Sequence, residues 1–417
     1  MSKEKPFVLF ETEGSYPYSG GGVSTWSHIL CTELREKVDF ELLAITGNPY
    51  VESRYRLPDN IKKITHIPLW GVDEPSDYYD DRHPFSHQIE KKARATKAAT
   101  QDYFKPIFED FINYLFDPYG DVTRISDILY GLWKYFQIHD YKQTLRQPLL
   151  WTEFKQSLIN YFEENDMAFH EQPRVFDITF GMRWLYHFLM PLAAPIDKNI
   201  DVTHATLAGF PALASIAAKY EYGIPSLVTD HGVYMRERLI NVGQADMPYF
   251  SKRLLVNMSA MVSRSVYYTA DQISPVTTAN KEWEKRFEAA DENIFPIYNG
   301  VNTDLFKPTP KPNHTRDTPT VIAVAQVFPL KDIETMIRSA DLVRKEIPEV
   351  QFKVYGSLEV DQEYVQKCRN LVKELDLEET FHFGGFHDQP SMIFNEGDIS
   401  ILTSISEGFP YTVIESM

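Results

Sequence analysis

Ser404-Ile-Ser-Glu-Gly-Phe-Pro-Tyr-Thr-Val-Ile-Glu-Ser-Met417 is the stretch on which the reading of this chain turns. An apolar, β-rich run, Asp398-Ile-Ser-Ile-Leu-Thr403, leads into it, and a helical pattern begins near Pro410. Proline is favoured in the first turn of a helix, where its missing N–H would have no partner anyway. The N–H groups of Gly408, Phe409 and Tyr411 are then expected at a helix N-terminus, where oxyanions and sugar hydroxyls bind. Glu407 falls in the turn itself, and Glu415 about one and a half turns into the helix. Taken alone, two glutamates at this spacing are most simply a capped helix with solvated acids. Within a strand, turn and helix they suit the gripping of two parts of one polar ligand.

Working outward, the second part of the chain alternates regularly. Strands are expected over Val321–Val327, Val350–Tyr355, Thr380–Phe383 and Ile399–Thr403, with amphipathic helices over Asp332–Glu346 and Glu363–Leu375 between them. That alternation specifies a parallel, doubly wound sheet. Ahead of it, Lys307-Pro-Thr-Pro-Lys-Pro-Asn-His-Thr-Arg-Asp-Thr-Pro319 lacks apolar residues and reads as a proline-stiffened linker.

The beginning of the chain shows the same logic. Phe7–Phe10 reads as a buried first strand, followed by a turn containing Gly20, Gly21 and Gly22 and a helix through Trp26 and Leu34. This layout lets backbone approach a phosphate or sugar closely, although three glycines alone serve equally well as a flexible turn. Their spacing is not G-x-G-x-x-G, which disfavours a dinucleotide fold of that type. After a second strand, Phe40–Ile45, the α/β rhythm stops. Residues from about 75 to 190 are aromatic, charged and helical in pattern, as in Tyr103–Leu115, and read as an insertion. Its aromatics at helical spacing are most simply core, an acceptor groove being the lesser reading. The rhythm resumes with a strand at Asp201–Thr206, a helix at Phe210–Tyr220 and a strand at Ser226–Thr229. Asp230-His-Gly-Val-Tyr-Met-Arg-Glu-Arg238 follows at the carboxyl end of that strand, where open α/β sheets hold ligands. His231 is the candidate polar contact there. Arg236 and Arg238 are either cations for a phosphate or acidic acceptor, or salt-bridge partners of Glu237. Gln272–Thr277 and Ile294–Val301 give two further strand ends.

At 417 residues, two domains are expected. A net charge of −17 argues against non-specific binding to nucleic acid or anionic lipid. Two distant cysteines, Cys31 and Cys368, suggest reduced thiols and a cytoplasmic chain. The start, Met1-Ser-Lys-Glu-Lys-Pro, shows neither a signal peptide nor a membrane span.

Several of these strings together resemble the PelF-type subfamily of family 4 retaining glycosyltransferases. Glu407-Gly-Phe-Pro-Tyr-Thr-Val-Ile-Glu415 is similar to the E-x7-E signature, and Gly14-Ser-Tyr-Pro-Tyr together with Gly-Gly-Val-Ser-Thr-Trp26 to the subfamily's opening. Thr229–Arg238 resembles its T-D-H-G-x-Y-x-R-E-R string, and Asn299-Gly-Val its turn closing the first domain. The resemblance implies an α/β chain of the GT-B class, two Rossmann-like domains facing a cleft. Residues 1–306 would form the acceptor-side domain with its insertion, 307–319 the linker, and 320–417 the nucleotide-sugar domain. Family members continue beyond this point, so the last domain is expected to be incomplete. The implied reaction moves a hexose from a nucleotide-diphosphate sugar, a UDP-sugar first among them, to a growing exopolysaccharide with retained configuration. In that scheme His231 orients the sugar, while Glu407, Gly408 and Phe409 hold it and Glu415 holds the ribose. Gly21 and Gly22 approach the donor, and Lys331 meets its diphosphate. Gln326 stands where the family carries a second cation; it donates a hydrogen bond but cannot neutralise charge. No cofactor and no metal are expected, and a membrane-bound polysaccharide synthase complex is an implied partner. Two other classes remain open, a catalytically impaired sugar-nucleotide-binding regulator or scaffold and a nucleotide-sugar epimerase.

Overall fold

The computed structural model describes residues 5–75, 84–165, 173–312, 317–387 and 389–417. Residues 1–4 of the expected start, 76–83 and 166–172 of the insertion, and 313–316 of the linker lie outside the described residues. The chain divides into two compact units, Met1–Ile297 and Tyr298–Met417. The division precedes the proline-rich stretch.

The first unit is built on a six-stranded parallel sheet in the order β3-β2-β1-β4-β5-β6. The strands are β1 (Phe7–Glu13), β2 (Asp39–Thr46), β3 (Ile61–Pro68), β4 (Val202–Ala205), β5 (Ser226–Asp230) and β6 (Gln272–Pro275). This is the doubly wound order of a dinucleotide-binding fold, with its topological switch between β1 and β4. Val8 to Thr12 and Phe40 to Thr46 are buried throughout, as expected of strands covered on both faces. β3 has no counterpart in the sequence reading, which passes from Ile45 to the insertion without an element. Its start, Ile61-Lys-Lys, is half-exposed and charged, the signature of an edge strand, so a search for apolar runs passes over it.

Between β3 and β4 the chain is helical. The longer helices are Phe85–Arg94, Lys105–Phe116, Val122–Ile138, Pro148–Glu164 and Val175–Phe188. Their aromatics Phe108, Phe111 and Phe154 share one core with Leu9 and Leu43 of the sheet, so the insertion is fused to the Rossmann unit. The Tyr249–Thr269 helix, also absent from the sequence reading, is buried along most of its length. A helix covered on nearly all sides carries no amphipathic stripe to read, and small residues such as Ser259, Ala260 and Ser263 let its neighbours close in. Its buried Arg264 donates to the Pro118 and Gly120 carbonyls at 2.6 and 2.9 Å and pairs with Glu288 at 2.6 Å. The expected strand at Ile294–Val301 is reduced to one bridge between Ile273 and Ile294. The Ile297 N–H still donates to the Pro275 carbonyl at 2.9 Å, but Pro275 of β6 has no N–H to return a bond and continue the ladder.

The second unit carries a four-stranded parallel sheet, order β10-β7-β8-β9, from β7 (Thr320–Val324), β8 (Gln351–Tyr355), β9 (Phe381–Gly385) and β10 (Ile399–Ser400). β10 is shorter than the apolar run Ile399–Thr403. It pairs with β7 alone, and Ile399 is 62% exposed on that sheet edge. The helices Ile333–Glu346 and Gln362–Glu374 are each capped by an aspartate, Asp332 accepting from the Thr335 N–H and Asp361 from that of Tyr364.

Candidate active site

In the first unit the glycine turn leaves β1 at the switch point. Gly21 has φ 125°, a backbone that favours glycine, and serves as N-cap of the Gly22–Glu33 helix. That helix carries Trp26, whose ring meets His231 edge-on at 4.4 Å and His204 at 5.8 Å. Gly21, Gly22 and His231 are therefore brought to one carboxyl edge of one sheet. The Nε2 of His204 is held by Thr229 Oγ1 at 2.8 Å. The Nε2 of His231 is buried with no hydrogen-bond partner among the described residues. Burial pushes His231 down to about 4 and His204 to about 3, so both rings are neutral at physiological pH. A neutral imidazole with an unmatched nitrogen is suited to hydrogen-bond a sugar hydroxyl. Three further buried oxygens without partners, Glu13 Oε2, Ser15 Oγ and Ser24 Oγ, lie on the chain between β1 and the start of its helix.

Arg238 and Arg236 follow on the Tyr234–Gln244 helix. The Arg238 guanidinium lies 5.0 Å over the Tyr234 ring, donates to that residue's hydroxyl, and approaches Glu13 at 3.7 Å. Its recorded ion pair is thus with Glu13 on β1, and Glu237 instead lies against Gly232, where an added Cβ would stand 2.3 Å from Glu237 Oε1. Glu13, Tyr234 and His204 carry no site signal of their own in the sequence; only the topology brings them to this edge.

The first unit also buries several acids. Asp230, fully buried, accepts from the Tyr267 hydroxyl, and burial raises it to about 7. Glu284 is raised to about 8 by burial and by Asp230, and Glu11, bonded by Ser215, also to about 8 by burial. Folded values above the unfolded ones mean that the folded state keeps protons the unfolded chain has released. These carboxyls therefore reduce stability progressively as pH rises from about 4.5 to about 8. The depressed histidines work the other way, but only below their ordinary value of 6.5. The melting temperature is accordingly expected to fall between about pH 6.5 and 8, and Glu284→Gln should flatten that fall. A scanning-calorimetry series that stays level across the window would contradict the assignment.

In the second unit the switch point lies between β7 and β10, and the remaining candidates gather there. Lys331 Nζ meets Glu407 Oε1 at 2.5 Å, both side chains about three-quarters buried. The Lys331 backbone is fixed from the other side, its carbonyl accepting from Thr403 Oγ1 at 2.9 Å, while the Ile405 N–H donates to the Leu330 carbonyl at 2.9 Å. Gln326 follows β7 and makes no side-chain hydrogen bond among the described residues. Gly356, which the sequence reading did not single out, is required beside it. A Cβ there would stand 2.0 Å from the Ala325 carbonyl oxygen. The helix after the Glu407 turn is Tyr411–Ser416, with Pro410 as its N-cap, one position earlier than a first-turn proline. Glu415 on it is raised by burial. Asn299 Nδ2 donates to the Phe409 carbonyl at 3.0 Å, and Tyr298 packs on the Phe409 ring at 5.6 Å. The Asn299-Gly300 turn thus belongs to the second unit and braces the Glu407 turn. Asn299 Oδ1, Ser404 Oγ and Ser406 Oγ are buried without partners around it. Among the described residues no group of three His, Cys, Asp or Glu could hold a metal ion, and no helix is long and apolar enough to cross a membrane.

Residues 7–292 match the family described as "Domain of unknown function (DUF3492)", more than half of the chain. The chain belongs to that family. In this DUF3492 member, residues 307–417 also match "Glycosyl transferases group 1". Among solved structures, Anabaena HepE in complex with UDP-glucose aligns at a TM-score of 0.53 and 12% identity, over 99% of this chain and 77% of its own. Sucrose-phosphate synthase from Thermosynechococcus elongatus aligns at 0.54 and 14%, over 99% and 79%. These likenesses show the fold, which is GT-B with two Rossmann-like domains. An uncharacterized glycosyltransferase of Haemophilus influenzae is 30% identical over 151 residues, 36% of this chain and 40% of that protein. A Staphylococcus aureus poly(ribitol-phosphate) alpha-N-acetylglucosaminyltransferase is 29% identical over 126 residues, 30% of this chain and 24% of that one. The chain spans less than half the length of the curated relatives it matches.

Proposed function

We propose that this DUF3492 member is a glycosyltransferase that moves a hexose from a nucleotide-diphosphate sugar, a UDP-sugar first, to a saccharide acceptor. The observation that carries this reading is the Lys331–Glu407 pair at the second sheet's switch point. A cation and a carboxylate in contact at the carboxyl edge of a doubly wound sheet suit a ligand with an anionic diphosphate and a hydroxyl-rich sugar. In the reaction the bond from the anomeric carbon to the diphosphate oxygen breaks. A bond to the acceptor oxygen forms, and the acceptor's proton leaves with the diphosphate. Lys331 offsets the charge that develops on the leaving group, and the Gly408 and Phe409 N–H groups face the sugar. Glu407 accepts from the sugar hydroxyls, His231 orients the ring, Glu415 takes the ribose, and Gly21 and Gly22 admit the donor. Retention of configuration, an exopolysaccharide acceptor and a synthase complex as partner rest on the PelF-type resemblance.

A thermal-shift panel of UDP-, GDP- and ADP-sugars tests the donor. A true donor at a hundredfold excess over its Kd stabilises by about 2.7 kcal/mol, and no shift with any of them would count against the reading. Gln326 supports a second reading, a weakened donor site that binds but turns over poorly. Gln326→Arg is then expected to tighten UDP binding about tenfold and to steepen its salt dependence, since a charged hydrogen bond to phosphate is added. Calorimetric titration of the variant with UDP checks it, and weaker binding would mean that Gln326 does not face the diphosphate.

A further inference from the structure

A pocket of about 460 Å³ lies in the first unit among Val72, Leu145, Arg146, Trp151, Met182 and Arg183. That volume is within the roughly 300–1,000 Å³ of small-molecule sites. None of its residues belongs to the site already described. Its lining combines apolar and aromatic side chains with Asp73, Thr179 and two guanidinium groups. Arg146 is neutralised by Asp73 at 3.0 Å. Arg183 makes no ion pair among the described residues and extends over the Trp70 ring at 5.9 Å. In a chain of net charge −17, this leaves one guanidinium uncompensated in a concave site. The wall adds His187, 6% exposed and packed on Trp70 at 4.2 Å, whose Nδ1 is buried without a partner.

The pocket's position is as informative as its lining. Gly71 to Asp73 follow directly on β3, and the Leu69 and Trp70 N–H groups still bond to the carbonyls of Thr46 and Gly47 beyond β2. The pocket thus opens at the same carboxyl edge as Gly21 and His231. With strands about 4.8 Å apart, it lies roughly 10 Å along that edge from β1 and roughly 19 Å from β5.

We propose that this pocket is a subsite for an anionic saccharide unit, a sugar bearing a carboxylate or phosphate. Arg183 takes the charge as a planar fork and Trp151 with Met182 receives the apolar face of the ring. That this sugar belongs to the acceptor rests on the transferase reading; the binding itself does not.

The test titrates the chain, without any donor, with methyl glucuronide, glucose 6-phosphate, neutral methyl glucoside and inorganic phosphate, read by ligand-observed NMR. Glucuronide or glucose 6-phosphate should bind at least about tenfold more tightly than the glucoside and than phosphate, the better of the two naming the charge carried. Arg183→Ala, an exposed substitution, should remove that preference, Arg183→Lys should restore part of it, and UDP affinity should be unchanged in both. Equal binding of the neutral glucoside, equal binding of phosphate alone, or an Arg183→Ala chain that keeps its preference would overturn the proposal. A parallel loss of UDP binding in Arg183→Ala would do so as well. Failure of the UDP titration in the wild-type chain, with the sugar preference intact, would instead count against the transferase reading alone.

Discussion

His231→Ala should lower turnover of the sugar donor by about 10²–10³-fold while leaving UDP affinity within about twofold, the loss typical of removing one preorganised hydrogen-bonding group. The ring is held by Trp26 at 4.4 Å, is kept neutral by burial, and has one nitrogen unmatched by protein. An imidazole so placed is already oriented before a ligand arrives, so it costs little reorganisation when the reaction proceeds. His231 belongs to the first unit and the Lys331–Glu407 pair to the second, so nucleotide binding at that pair should survive the loss of the imidazole. Single-turnover rates together with UDP titration separate the two quantities. A variant with normal turnover would remove His231 from the reaction, and one that loses UDP binding equally would make it a nucleotide contact.

Lys331→Ala is expected to weaken UDP binding by about 10- to 100-fold, the equivalent of roughly 1.5–3 kcal/mol for a hydrogen bond to a charged group. Lys331 precedes Asp332, the left-handed cap of the Ile333–Glu346 helix, and its carbonyl is tied to Thr403. Its backbone is therefore held at the switch point by two independent constraints, and its ammonium by Glu407. The substitution should also flatten the salt dependence of UDP binding, because one cation fewer meets the phosphates. Lys331→Arg should retain part of the affinity. Unchanged UDP titrations in Lys331→Ala would show that the ion pair with Glu407 is structural only.

Much of this was readable in the sequence because the switch points of parallel sheets are marked locally. A strand, a glycine turn and a helix start occur at Gly20–Gly22 and again at Glu407–Tyr411, and both lie at a carboxyl edge in the structure. The second sheet's strand order was not written in the sequence, yet its alternation of apolar strands and amphipathic helices was. What stayed hidden has physical reasons. β3 is an edge strand whose lysines break the apolar run. The Tyr249–Thr269 helix is buried on nearly every side and so lacks periodicity. Glu13, His204 and Tyr234 are ordinary residue types that acquire a role only when β1, β4 and β5 become neighbours. Gly356 is explained by a backbone approach from β7 that no single stretch reveals. The pocket beside Arg183 is assembled from the turn after β3 and three insertion segments, far apart in sequence.

We propose that a sugar leaves its nucleotide at the Lys331–Glu407 turn and that its transfer requires His231. Transfer of radiolabelled hexose from a UDP-hexose into saccharide, compared among the wild-type chain, Lys331→Ala and His231→Ala, tests it most directly. Label should move in the wild-type chain and fall sharply in both variants, through weaker donor binding in the first and slower turnover in the second. Transfer that is unchanged by either substitution, or a donor that is epimerised without transfer, would contradict it.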